Sequence, residues 1–237
     1  MISRYYTREA LNMNGSLILK DAEFHHLSRV MRALEGDIVE VVNGSGTLAK
    51  AEITRLTKSE AALHIIAIQS AQETRSRVIL AQAIPKNTHL DFILEKATEL
   101  GVDQIQLFPG QLSLKKEFTP QQQERAFLQT VSAMKQCGRL HLPTLEWIPA
   151  ITKWKAADHP VLYGDIRPEA PPLLAFLQQQ PSFSTITFVV GPESGFTEEE
   201  ETHLNRIGAK GVKLHHNILR TETAAIFAVG LISTWWT

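Results

Sequence analysis

The spacing of hydrophobic and polar positions changes near residue 77, and this change predicts two parts of the chain. In the first part the apolar residues form short runs typical of strands, over residues 38–42, 48–53 and 62–68. The Asn43-Gly44-Ser45-Gly46 segment separates the first two runs at hairpin spacing. A compact β-barrel over residues 1–70 is the simplest fold that accounts for this pattern.

One short helix interrupts these strands, and a polar segment follows them. The helix is predicted over residues 22–31, with Asp21 as the candidate N-cap. The segment Ser70 to Arg77 is polar and has no periodicity, so residues 71–77 are predicted to be a linker.

After the linker, apolar runs alternate with segments of helical periodicity. The predicted strands cover residues 78–84, 105–108, 161–163, 186–190 and 212–214, and the main helices cover 121–136, 172–180 and 221–236. Two further helices follow residues 88 and 197. This alternation predicts an α/β domain with a mostly parallel sheet over residues 78–237.

Two of these helices carry a possible capping box at their start. Thr88 with Asp91, and Thr197 with Glu200, have the spacing at which two side chains satisfy the first backbone N–H groups of a helix. The predicted apolar face of the first helix, which Gly101 ends, consists of Leu90, Ile93, Leu94, Ala97 and Leu100.

Composition and charge narrow the possible functions only a little. The 237 residues are 43% hydrophobic and 21% charged, as in ordinary globular proteins, and the net charge of −1 gives no overall positive field for nucleic acid. The single cysteine, Cys137, permits no intrachain disulfide and fits a reducing compartment. The first ten residues lack the apolar core of a signal peptide, and no run of about 18 apolar residues predicts a membrane span. We therefore expect a cytoplasmic protein.

The first candidate binding segment is Gly191-Pro192-Glu193-Ser194-Gly195-Phe196, which lies between a predicted strand and a capped helix. Ligands bind open α/β sheets at the carboxyl ends of strands, and glycine lets the backbone approach a ligand closely. The loop could hold an adenine or a ribose by main-chain bonds. An ordinary β-α turn explains the same residues.

The second candidate is the segment 219–225, which joins the last strand to the last helix. Thr221 or Thr223 could cap this helix, and Glu222 favours a helix start. Arg220 is different, because a cation near a positive helix N-terminus costs stability unless an anion is close. Glu193 or Glu222 could supply this anion, and an RNA phosphate is the functional alternative.

Two weaker candidates carry single reactive or basic side chains. Cys137 is expected to be a small buried residue rather than a nucleophile, while Arg139 could reach a substrate or satisfy helix-end carbonyls. Arg29 and Arg32 are expected to share a helix face, and Arg4 and Arg8 add charge nearby. These arginines could contact phosphates, or they could form a solvated surface.

The remaining motifs argue against several other classes of protein. The adjacent pairs His25-His26 and His215-His216 do not have zinc-site spacing, and neighbours in a strand point to opposite faces, so no metal is expected. The chain has no nucleotide-binding P-loop, no G-x-G-x-x-G and no G-x-S-x-G sequence.

Taken together, five segments resemble the ribosomal RNA small-subunit methyltransferase E (RsmE) family, which belongs to the SPOUT superfamily of knotted methyltransferases. The similar patterns are H-x-x-R-V-x-R at residues 26–32, K-x-x-E-L-G-V at 96–102, Q-C-G-R at 136–139, G-P-E-G-G at 191–195 and L-R-T-E-T-A at 219–224. Each pattern is weak alone, but five in the same order over nearly the whole chain are specific.

The resemblance implies a PUA-like β-barrel followed by a SPOUT α/β domain with a C-terminal trefoil knot. It implies a homodimer with S-adenosyl-L-methionine (SAM) in the knot, the active site at the dimer interface, and methylation at N3 of one uridine in small-subunit (16S) ribosomal RNA. A ribose 2′-O-methyltransferase of the same superfamily and a non-catalytic RNA-binding relative stay open as alternatives. A small-molecule α/β enzyme would leave the N-terminal barrel without a purpose.

The chemistry of the implied reaction suggests roles for individual residues. Arg220, with Arg139 second, would stabilise the uridylate that forms when N3 loses its proton, and Glu222 or Glu193 would hold the arginine or act as base. The residues expected to bind RNA are Arg4, Arg29, Arg32 and Lys86. The residues expected at the cofactor are Leu162, Tyr163, Gly164, Gly191, Pro192, Glu193, Gly195, Leu214, Ile218, Leu219, Thr221, Thr223 and Ala224.

The sequence departs from the family pattern in three places. Ser194 replaces a glycine of G-P-E-G-G, Lys135 stands where glutamate is frequent, and His216-Asn217 stands where an arginine is usual. The last departure puts one substrate contact in doubt but leaves the cofactor loops intact.

Overall fold

The computed structural model describes residues 3–72, 76–179 and 184–236, and its chain divides into two compact units. The first unit comprises Met1–Glu73 and Val131–Leu142, and the second comprises Thr74–Thr130 and Pro143–Thr237. The middle of the predicted linker lies outside the described residues, so the division at residues 71–77 stays a prediction. The same holds for the last residue of the helix predicted over 172–180.

The first unit is built on a five-stranded sheet of order β1-β3-β4-β5-β2. Its strands are β1 (Arg4–Tyr6), β2 (Ser16–Leu19), β3 (Ile38–Val42), β4 (Thr47–Leu56) and β5 (Ala61–Ser70). The three predicted strands are confirmed, and they form an antiparallel meander with buried and exposed residues alternating along β4. The short β1 and β2 were not predicted, because three or four residues carry too little periodicity.

The predicted first helix is present, but its start differs from the prediction. Helix α1 (Asp21–His25) continues into a π-helical turn, His26–Val30. Asp21 is not the N-cap, because it has φ +50° while Lys20 occupies the extended N-cap position. Arg32 lies beyond the helical turn with φ +53°, so the expectation that Arg29 and Arg32 share a helix face is also wrong.

The second unit contains a six-stranded parallel sheet of order β11-β9-β10-β6-β7-β8, which confirms the predicted α/β class. Its strands are β6 (Arg77–Ala83), β7 (Gln104–Phe108), β8 (Thr144–Trp147), β9 (Val161–Gly164), β10 (Thr185–Val190) and β11 (Lys210–Val212). The last strand ends two residues earlier than predicted, because Lys213 forms backbone hydrogen bonds with Pro171 and Leu173 instead. The implied trefoil knot stays a prediction.

Five longer helices accompany these strands: α2 (Asn87–Glu99), α3 (Pro120–Cys137), α4 (Leu173–Gln179), α5 (Glu198–Arg206) and α6 (Thr221–Trp235). Helix α3 contributes residues to both units. Buried side chains of α2, including Ile93 and Ala97, share one hydrophobic core with Ala225 and Val229 of α6. The predicted apolar face of α2 is buried except at Leu100, which is 38% exposed. No helix in the described part of the chain is long and apolar enough to cross a membrane.

Of the two predicted capping boxes, one is confirmed and one is wrong. Thr197 Oγ1 accepts a hydrogen bond from the Glu200 N–H at 3.2 Å, and Glu200 Oε2 accepts one from the Thr197 N–H at 3.0 Å. Thr88 instead lies inside α2, because the Lys86 carbonyl already accepts hydrogen bonds from the backbone N–H groups of residues 89 and 90.

An ion pair between an exposed arginine and a buried carboxylate lies just after β9. Arg167 Nη2 donates to Asp165 Oδ2 at 2.6 Å, and the Asp165 side chain is 7% exposed. A Cβ at Gly211 would lie 2.5 Å from the same oxygen, so glycine on β11 leaves room for this carboxylate. Burial raises the pKa of Asp165, but the hydrogen bonds and charge of Arg167 outweigh it and hold the pKa below the usual aspartate range.

This pair predicts a pH-dependent contribution to stability. A carboxyl whose folded pKa is depressed stabilises the fold above its unfolded pKa and loses this contribution as the pH falls through the folded value. Arg167→Gln should therefore lower the melting temperature at pH 7, and its difference from the unsubstituted protein should shrink below about pH 4. Thermal unfolding followed by circular dichroism at pH 7 and at pH 3 measures both values. An equal difference at both pH values would contradict this account.

Candidate active site

Three neighbouring strands of the second unit lead into one cavity of about 570 Å³. The cavity is lined by the ends of β9 and β10, the loop that follows each of them, the segment between β11 and α6, and the first turn of α6. Because parallel strands end at the same edge of the sheet, segments far apart in sequence meet here.

Most of the residues expected at the cofactor lie together at this cavity. Those that line it are Gly164, Gly191, Pro192, Glu193, Gly195, Leu214, Ile218, Leu219, Thr221 and Ala224. Leu162 and Tyr163 are instead buried in the core, and Thr223 is exposed on α6. None of these three is among the lining residues.

Hydrogen bonds of two buried side chains join the elements beneath the cavity. Gln82, which is fully buried near the end of β6, donates through Nε2 to Thr221 Oγ1 at 3.0 Å. Thr221 Oγ1 in turn donates to the Gly191 carbonyl at 2.7 Å. The expectation that Thr221 or Thr223 caps α6 is therefore wrong, since the N-cap is Arg220. Gln82 was not predicted to belong to the site, although a polar residue inside an apolar strand could have indicated it.

The loop after β10 is a tight turn that tolerates the departure at Ser194. The Gly195 N–H donates to the Pro192 carbonyl at 2.9 Å, and Gly195 has φ +77°, where a side chain would be strained. Ser194 is not among the residues with positive φ, so its side chain adds no backbone strain. The turn keeps its shape with serine at this position.

Two glutamates and a histidine meet at one side of the cavity. Glu193 Oε1 accepts hydrogen bonds from the Lys86 N–H and from His89 Nδ1, both at 3.1 Å, and Glu222 Oε2 lies 3.7 Å from the same His89 nitrogen. Burial raises the pKa of Glu193, but these hydrogen bonds outweigh it and bring the pKa below the usual glutamate range. His89 was missed because nothing in its sequence neighbourhood links it to residues about 100 positions away.

Arg220 lines the same cavity but contacts neither glutamate. Its side chain is exposed and makes no hydrogen bond or ion pair within the described residues. The expectation that Glu193 or Glu222 neutralises this arginine is therefore wrong, because both carboxylates lie at His89. An exposed guanidinium at the rim can bind an anion or a carbonyl oxygen.

The other sequence candidates lie outside this cavity. Arg29 and Arg32 are exposed, and Arg4 is paired with Glu40 at 2.7 Å in the first unit. Arg139 belongs to the first unit and is half-buried, and Lys86 is exposed at the N-cap of α2.

The cysteine and the histidine pair also differ from the sequence expectations. Cys137 is exposed rather than buried, because it lies in the last turn of α3. His215 and His216 follow β11 rather than lie in it, and their ring centroids are 4.0 Å apart. Among the described residues, no group of three histidine, cysteine or acidic side chains is arranged to hold a metal ion.

Known proteins similar to this chain align with nearly its whole length. A ribosomal RNA small subunit methyltransferase E from Rickettsia conorii is 28% identical over 233 residues, covering 97% of this chain and 94% of the relative. One from Bacillus subtilis is 27% identical over 248 residues, covering 98% and 96%. A crystal structure of such an enzyme from Neisseria gonorrhoeae, bound to S-adenosyl methionine, has 29% identity and a TM-score of 0.87, covering 100% of this chain and 98% of that one.

The family comparison matches both parts of the chain. Residues 19–66 match the RNA methyltransferase PUA domain, which confirms the expected PUA-like part, and residues 72–233 match the RNA methyltransferase domain. The second match covers more than half of the chain and includes every segment that lines the cavity. The chain therefore belongs to the RNA methyltransferase family.

Proposed function

We propose that this protein transfers the methyl group of SAM to N3 of one uridine in 16S ribosomal RNA. The observation that carries this proposal is the cavity where the glycine loop after β10 and the Leu219–Ala224 segment meet, in a member of the RNA methyltransferase family. Relatives that align with nearly the whole chain are named as small-subunit methyltransferases, and one is named as bound to this cofactor.

The cavity fits SAM in size and in chemistry. Its volume of about 570 Å³ lies in the usual range of small-molecule sites. Val190, Leu214 and Ala224 offer apolar contacts for an adenine, while the backbone around Gly195 offers hydrogen bonds to a ribose. Bound there, the cofactor supplies an electrophilic methyl group on a sulfonium.

The protein must hold the uracil in place and favour loss of its N3 proton. Arg220 is exposed at the rim and has no partner within the described residues, so its guanidinium can stabilise negative charge on a carbonyl oxygen of the base. Arg139, the second candidate from the sequence, belongs to the first unit and does not line the cavity, so Arg220 is the better candidate. Holding base and methyl group in line can itself lower the barrier by up to about 7–11 kcal/mol.

Of the two carboxylates, Glu222 is the better candidate for the base. Glu193 Oε1 already accepts two hydrogen bonds, which lower the proton affinity of its carboxylate. Glu222 Oε2 is buried and accepts no hydrogen bond within the described residues. It therefore keeps a lone pair for the N3 proton.

The proposal also covers the residues that contact RNA, the oligomeric state and the cellular location. Arg29 and Arg32 are the stronger candidates for phosphate contacts, because Arg4 is already paired with Glu40. We propose a cytoplasmic homodimer. A net charge of −1 gives little non-specific RNA affinity, which favours the assembled small subunit as substrate.

Nucleoside analysis tests this function. Small ribosomal subunits that lack base methylation are incubated with the protein and SAM labelled in its methyl group, and the RNA is digested to nucleosides. Label in 3-methyluridine is expected. Label in a 2′-O-methylated nucleoside would replace the proposed reaction by ribose methylation, and cofactor binding without any label would refute this substrate.

The proposed role of Arg220 predicts the effect of its substitution on methyl transfer. Arg220→Ala should lower kcat for methyl transfer by roughly 10²–10³-fold, because a hydrogen bond to charge that develops in the transition state is lost. SAM affinity, measured by calorimetry, should change little. Arg220→Lys is the control and should retain part of the activity. Equal losses of cofactor binding and of transfer would refute this role.

The proposed RNA contacts of the first unit predict the effect of reversing the charge of its arginines. Replacing both Arg29 and Arg32 by glutamate should weaken RNA binding and reduce its salt dependence, because each phosphate contact releases bound counterions. SAM affinity should be unchanged. Arg55→Glu is the control, because it reverses the charge of another exposed arginine of the same unit. Filter binding at several salt concentrations compares the variants, and equal RNA affinity of all of them would count against this surface.

A further inference from the structure

We propose that His89 is a positioning residue that keeps Glu193 and Glu222 away from Arg220, so that the arginine stays free for the target base. The consequence for methyl transfer rests on the proposed function. The arrangement of the four side chains does not depend on it.

The geometry at His89 supports this role. Its Nδ1 lies 3.1 Å from Glu193 Oε1 and 3.7 Å from Glu222 Oε2, so one nitrogen faces carboxylates from two different elements. A carboxylate that is ionised can only accept hydrogen bonds, and the lowered pKa of Glu193 means that it is ionised at neutral pH. His89 Nδ1 must therefore carry a proton and act as the donor.

Both carboxylates are shielded enough from water to require a partner. The exposed fraction of the side chain is 29% for Glu193 and 14% for Glu222. Without His89, Glu193 would keep only the Lys86 N–H, and Glu222 would lose its ion-pair contact. Both partly buried charges would then gain from pairing with another cation.

Arg220 is the cation that lies two residues before Glu222 and lines the same cavity. The other strong cation of the lining is Lys213, whose Nζ already donates to the Pro168 carbonyl at 2.9 Å. Arg220 has no partner of its own within the described residues. A released glutamate would pair with its guanidinium and compete with a carbonyl oxygen of the substrate base.

Phenylglyoxal tests the arrangement without any need for enzyme activity, because this dicarbonyl reagent modifies free guanidinium groups. Mass spectrometry of the peptide that contains Arg220 gives its rate of modification. His89→Ala should slow this rate by roughly fivefold through the new ion pair. His89→Ala combined with Glu193→Gln and Glu222→Gln should restore it, because the amides carry no charge. His89→Lys should keep the rate of the unsubstituted protein.

A matched histidine serves as control. His159→Ala removes a histidine that contacts Asp158 and Thr187 and does not line this cavity, so it should change neither the rate of modification nor methyl transfer. Circular dichroism checks that each variant is folded. An unchanged Arg220 rate in folded His89→Ala would overturn the proposal.

Methyl transfer provides the second measurement. His89→Ala should lower kcat by roughly the same factor as it slows modification, and adding Glu193→Gln should recover part of the loss. If the unsubstituted protein transfers no methyl group, the proposed function fails while the phenylglyoxal result still decides the role of His89. A loss of kcat without any change at Arg220 would refute the mechanism proposed for His89.

Discussion

The cavity depends on the hydrogen bonds that Gln82 and Thr221 form beneath it. Through them, the end of β6, the start of α6 and the Gly191 carbonyl after β10 are joined. Such bonds contribute only about 0.5–1.5 kcal/mol each, but a buried polar group left without a partner costs more. The loops that rise from these elements therefore keep a fixed relation to one another, as a preformed binding site requires.

The charges above this framework are distributed unevenly. Asp165 is paired with Arg167, and Glu193 is paired with His89. Glu222 Oε2 lies 3.7 Å from the same His89 nitrogen and accepts no hydrogen bond within the described residues. Arg220 remains available at the rim. The proposed methyl transfer to an anionic base would benefit from this distribution, because a cation that is already neutralised stabilises little new charge. The fold thus keeps the carboxylates and the arginine apart within one small volume.

The sequence predicted the elements whose periodicity is strong and long. The strands β6, β7, β9 and β10 follow apolar runs, and the Thr197 capping box has a local signature. The short β8 was not predicted. The failures lie where a tertiary contact overrides a local preference. Thr88 has the sequence of a cap, but the N-cap is Lys86, two residues earlier, and the Lys86 N–H donates to Glu193 Oε1. β11 ends early because Lys213 pairs with the segment before α4.

The sequence predicted which segments form the candidate site, but it did not predict the side-chain contacts between them. The glycine loop and the Leu219–Ala224 segment were found because each lies after a strand, where α/β sheets bind ligands. His89 and Gln82 could not be assigned in this way, because their roles arise only when residues about 100 or more positions apart meet. The supposed pairing of Arg220 with a glutamate was wrong for the same reason.

The central claim is that this cavity holds SAM, and a calorimetric titration with a blocked cavity tests it most directly. Gly164 lines the cavity, and a Cβ there would meet nothing within 4 Å, so a larger side chain can enter the cavity without disturbing the core. The unsubstituted protein and Gly164→Ala should bind the cofactor, whereas Gly164→Trp should lose at least about tenfold in affinity, or roughly 1.4 kcal/mol. Unchanged binding by a folded Gly164→Trp variant, or no binding by the unsubstituted protein, would contradict the account.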